Sequence, residues 1–99
     1  MKHFLLESTY LVPTEQLLAV RPAHRSYMQV GIDQGLLLFA GPQASGAGGL
    51  IVARAQSQQS VEDFFASDPY VREGCARYRF VEFTPVLHAP QLADWVGPA

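Results

Sequence analysis

Residues 35–55 read GLLLFAGPQASGAGGLIVARA, and the fold turns on what this stretch becomes. Leu36-Leu37-Leu38-Phe39-Ala40 is an apolar run between the breakers Gly35 and Gly41-Pro42. Such a run predicts a short buried strand. Ala44-Ser45-Gly46-Ala47-Gly48-Gly49 has almost no side chain to pack and reads as a turn. Leu50-Ile51-Val52-Ala53-Arg54-Ala55 is apolar with β-branched residues, and pairs back as the second arm of a hairpin.

Outward from this hairpin, the flanks are symmetrical. Before it, His3 to Val12 alternates loosely and stops at Pro13, which predicts a strand. Thr14 is expected to cap a helical turn through Leu18. Pro22 has no N–H to donate, so a new helix is expected to start there and run to Gln34, with Gly35 as its stop. After the hairpin, Ser57 or Ser60 caps a helix whose apolar face is Val61, Phe64 and Phe65, with Glu62 and Asp63 toward water. Asp68-Pro69 opens a further turn that Gly74 ends. Tyr78 to Phe83 alternates as a last strand, stopped by Pro85.

The order is β-α-β-β-α-β, the ferredoxin-like α+β plait, with two helices over one face of a four-stranded antiparallel sheet. Residues 1–85 form the domain, and 86–99 form a surface tail with Trp95 as its anchor. The other sheet face is open. Apolar positions near Leu5, Leu37 and Ile51 are expected to line it, and a second copy is the simple cover, giving a homodimer.

Composition narrows the function classes. In 99 residues, 48% are hydrophobic and 16% charged, which is one globular domain. A formal net charge of −2 without a Lys/Arg cluster argues against nucleic-acid binding. No apolar run approaches the roughly 20 residues of a membrane span. Cys75 is the single cysteine, which suits a reducing, cytoplasmic setting. Three histidines without ligand spacing suggest no metal site, and no motif implies a cofactor.

Two residues stand out. Asp68 reads first as an N-cap worth about 1 kcal/mol, since Asp is favoured there and Pro at the next position. A lone histidine such as His24 reads first as a hydrogen-bonded core group. In the plait, however, His24 lies near the start of the first helix and Asp68 at the end of the second, and the two converge. At 4 Å and an effective dielectric of about 20, their attraction is about 4 kcal/mol before desolvation. A carboxylate so placed fixes the imidazole tautomer and stabilises its cation, while burial opposes the charge.

Arg21-Pro22-Ala23-His24, Asp33-Gln34-Gly35-Leu36-Leu37, Ala40-Gly41-Pro42 and Asp68-Pro69-Tyr70-Val71 with Gly74 together resemble the YciI-like (YCII-related) family, from about Phe4 to Phe83. Two features depart from the family pattern: Gly31 stands where an apolar helix residue is usual, and the tail after Pro85 is longer and proline-rich. The resemblance implies a dimeric α+β barrel with His24 and Asp68 as its active site. It also implies acid–base chemistry on a ring, since one relative is a dehydrochlorinase acting on a chlorinated hydroxyquinol. The expected function is therefore a small enzyme without cofactor, performing elimination, isomerisation or hydrolysis on a small cyclic or phenolic molecule. Arg21, Tyr70, Gly41 and Pro42 are the candidate substrate contacts. The alternative is a ligand-binding or protein-interaction module, in which the His–Asp pair is sealed rather than open to a cleft.

Overall fold

The computed structural model describes residues 1–98. Its elements are β1 (Lys2–Tyr10), α1 (Thr14–Asp33), β2 (Leu37–Pro42), β3 (Gly49–Ala55), α2 (Gln58–Ala66), α3 (Pro69–Arg72), β4 (Ala76–Phe83), a 3₁₀ turn (Pro90–Leu92) and α4 (Ala93–Val96). The four strands form one antiparallel sheet in the order β2-β3-β1-β4, the ferredoxin-like arrangement.

Strand alternation decides which side chains meet the helices. In β1, Phe4 and Leu6 are fully buried, and they join Met28, Leu37, Ile51, Val61 and Phe65 in the main core. Removing such a side chain from water stabilises the fold by roughly 1.5–3 kcal/mol. A second cluster, Leu17, Tyr70, Cys75 and Ala76, closes the layer at the far end of β1. The opposite face carries Leu5, which pairs with Val52 on β3 and Val81 on β4, while Phe39 pairs with Val52. Leu37 and Ile51 therefore face the helices rather than the open side; only Leu5 of the expected trio lies there. A bulge between Leu37 and Phe39 adds to the difference, because it breaks simple parity along β2.

Three further expectations are corrected. The first helix does not restart at Pro22 but runs unbroken from Thr14 to Asp33 with the proline inside it. An interior proline costs about 3 kcal/mol. Here both halves are held by packing, Leu17 into the second cluster and Met28 into the main one. Nor does Thr14 cap: Pro13 occupies the N-cap and no side chain bonds the helix start. Finally, β2 is an edge strand rather than a buried one. Only Leu37 of its six residues is buried, and Phe39 is 59% exposed.

The helix stop at Gly35 is as expected. Gly35 has φ 76°, and Leu36 N–H bonds Gly31 O at 2.9 Å, closing the end of α1. Gly31 has a different role. A Cβ there would stand 2.8 Å from Leu37 Cδ1 and 2.9 Å from Phe64 Cζ, so its missing side chain lets α1 settle onto β2 and α2. The tail crosses back to the open face, where Arg54 Nη1 donates to Trp95 O at 2.7 Å and its guanidinium sits 5.2 Å from the Trp95 ring centre.

Candidate active site

The DPYV stretch folds as a cap. Asp68 is the N-cap of α3, its Oδ1 accepts from Tyr70 N–H at 3.0 Å, and Pro69 takes the first helical position. This local geometry holds the carboxylate still and points it at α1. There Asp68 Oδ1 also meets His24 Nδ1 at 2.8 Å. The Tyr78 hydroxyl donates to the other oxygen, Oδ2, at 2.6 Å. Asp68 is fully buried, so these three partners replace water around it.

His24 lies mid-way along α1, not near its start, because the helix begins eight residues before Pro22. Its side chain is 16% exposed. The Tyr70 ring stacks on it at 3.9 Å with 10° between planes, and Arg21 Nε donates to the Tyr70 hydroxyl at 3.2 Å. Nδ1 is held by the carboxylate. Nε2 makes no hydrogen bond among the described residues and is not a buried atom, so it opens on a cleft. With the proton on Nδ1 donated to Asp68, Nε2 carries the lone pair that accepts a proton.

The cleft holds about 360 Å³ between α1, the sheet and α3. Arg21, His24, Arg25, Met28 and Ile32 line one side, at the three- and four-residue spacing of one helix face. Ala40, Gly41 and Pro42 of the edge strand line the other, with Ser8, Tyr10, Tyr70 and Tyr78 between. The rim is thus cationic and phenolic at the Arg21 end and apolar toward Ile32. Burial, with the Tyr70 phenol next to it, pushes the Tyr10 phenol up. The Tyr78 phenol is pushed far up, first by burial and then by the Asp68 carboxylate it donates to, so it keeps its proton.

Every residue singled out in the sequence reaches this site. His24, Asp68, Arg21 and Tyr70 touch one another, and Gly41 and Pro42 face them across the cleft. Tyr70 is 2% exposed and covers the imidazole more than it offers itself to a ligand. Sequence reasoning passed over Tyr78 and Tyr10. The signal for Tyr78 was parity: it shares the helix-facing side of β4 with Ala76 and Phe80, and a hydroxyl there needs an acceptor. Cys75 is 3% exposed, and burial pushes its thiol up. Among the described residues no group of three His, Cys, Asp or Glu side chains is placed to hold a metal, and no helix is long and apolar enough to cross a membrane.

The YCII-related domain model matches residues 1–84. This chain belongs to that family. The Protein YciI sequences of Escherichia coli O6:H1 and Shigella flexneri are each 33% identical over 81 residues, covering 72% of this chain and 81% of their own length. A solved structure of 5-chloro-2-hydroxyhydroquinone dehydrochlorinase (TftG) from Burkholderia phenoliruptrix AC1100, in complex with 2,5-dihydroxybenzoquinone, aligns with a TM-score of 0.67. It is 18% identical and covers 82% of this chain and 90% of that one, a likeness of fold.

Proposed function

We propose that this chain is a small acid–base enzyme in which His24 takes and returns a proton at Nε2 while Asp68 holds Nδ1. One observation carries the reading: the imidazole is bound to a buried carboxylate on one nitrogen and opens its other nitrogen to the cleft. A sealed pair would favour a purely structural role or a binding module. Asp68 orients the ring and stabilises the imidazolium that forms on proton uptake. The cations of Arg21 and Arg25 at the rim suit an anionic or phenolic group, and Tyr70, Gly41 and Pro42 bound the space it enters. A small cyclic or phenolic substrate fits that lining, and the name of the dehydrochlorinase with the same fold points to ring chemistry. Elimination, isomerisation or hydrolysis are the reaction classes such a proton transfer serves, and residues 1–85 hold all the groups it uses.

Turnover on a panel of phenols, quinols and lactones tests this. His24→Ala should fold and lose activity by about 10²-fold or more, the usual contribution of a general base. Activity that survives the substitution removes His24 from the chemistry.

The open sheet face extends the proposal to a homodimer, with Leu5, Val52, Val81 and Phe39 meeting their counterparts. Light scattering at micromolar concentration should report twice the chain mass; a monomer there ends the idea.

A further inference from the structure

We infer that Tyr78 is a positioning residue of the proposed His–Asp pair: its hydroxyl fixes the Asp68 carboxylate so that the other oxygen stays on His24. The inference rests on the proton-transfer reading above and adds a third member, from a third part of the fold. His24 comes from α1, Asp68 from the junction of α2 and α3, and Tyr78 from the sheet.

Oxygen accounting makes the case. Asp68 Oδ1 already serves two donors, Tyr70 N–H at 3.0 Å and His24 Nδ1 at 2.8 Å. Among the described residues Oδ2 has Tyr78 alone, at 2.6 Å. The carboxylate has no solvent exposure, so water cannot take that place. Without the hydroxyl, Oδ2 is a buried anionic acceptor lacking a donor, and the side chain can rotate about its terminal bond away from the imidazole. The Tyr78 ring is itself clamped, 4.7 Å from the Phe65 ring and 6.3 Å from that of Phe80, which fixes the reach of its hydroxyl. Tyr78 also lines the cleft, yet it is not a second acid. Burial and the carboxylate hold its proton on the phenol, so it donates to Asp68 throughout and gives nothing to a ligand.

The test compares Tyr78→Phe with Phe80→Leu, which loosens the same packing and leaves the carboxylate alone. Two readouts follow the pair without any substrate: the carbon-13 chemical shift of the Asp68 carboxyl at neutral pH, and the downfield proton signal of His24 Nδ1–H. In Tyr78→Phe, the carboxyl signal should move, because one of the carboxylate's hydrogen bonds is lost. The Nδ1–H signal should broaden or vanish. Phe80→Leu should leave both as in the wild type. A Tyr78→Phe protein with both readouts unchanged overturns the inference and spares the pair. Absence of the Nδ1–H signal from the wild type itself overturns the pair, and Tyr78's role with it. Should Tyr78→Phe not fold, a resolved deuterium isotope shift on the Tyr78 ring carbon that bears the hydroxyl, in mixed light and heavy water, reads the same bond in the unaltered protein. A shift supports the inference, and none rejects it.

Discussion

The molecule holds two largely buried histidines at opposite ends of β1's reach, and they are treated in opposite ways. His24 stands in the helix-side cleft beside Ser8 and Tyr10, with Nδ1 on a carboxylate and Nε2 open to solvent. His3 stands on the open face at the start of β1, 6% exposed, under the ring of Trp95 at 5.3 Å. Among the described residues its Nε2 is buried without a partner, and so is Trp95 Nε1. An unmet polar atom costs roughly 1–3 kcal/mol, a loss the packing around His3 must offset. The difference teaches how to separate chemistry from packing. Where polar groups are all satisfied except the one that faces a cavity, the geometry serves that exposed atom. Where polar atoms are simply enclosed, the ring serves as filler and anchor for the tail.

Four substitutions grade this contrast. Asp68→Ala should have the largest effect, about 3 kcal/mol or more of stability in urea melts. It removes a cap worth about 1 kcal/mol and strands two donors, each costing at least as much. Asp68→Asn keeps the cap oxygen and should lose much less. Near-equal, mild losses for both would mean that the cluster is held no more firmly than the His3 site. His24→Ala should come next, at about 1 kcal/mol, the typical cost of a point substitution at a partly exposed position. His3→Phe should be the smallest, within about 1 kcal/mol of the wild type and leaning toward greater stability, because it discards an unmet polar atom and keeps a ring under Trp95. Trp95, the only tryptophan, reports its own surroundings by fluorescence. A loss above about 2 kcal/mol in His3→Phe would show that Nε2 has a partner after all, and the contrast would fall.

Much of the fold was legible because its breakers sit between its elements. Pro13, Gly35, the Gly46–Gly49 turn, Asp68-Pro69 and Pro85 all mark real boundaries or lie beside them. What was misread depended on distant contacts. Pro22 argues locally for a helix start, and only the packing of Leu17 and Met28 on either side overrides it. An apolar run such as Leu36–Ala40 does not announce whether its strand is central or at an edge; strand order does, and no local signal encodes it. The His24–Asp68 meeting could be anticipated because the two helices share a sheet face. Which oxygen meets which donor could not, since that depends on the side-chain rotation that Tyr78 fixes.

Gly31 ties the wall of the cleft to the packing behind it. Met28 and Ile32 line the cleft on either side of it, while Gly31 itself abuts Leu37 and Phe64. A single methyl at this position would stand 2.8 Å from Leu37 Cδ1 and 2.9 Å from Phe64 Cζ, so either those side chains or α1 itself must shift to admit it. Where α1 shifts, the cleft wall that carries Met28 and Ile32 shifts with it, so the width of the cleft answers to a residue packed behind that wall.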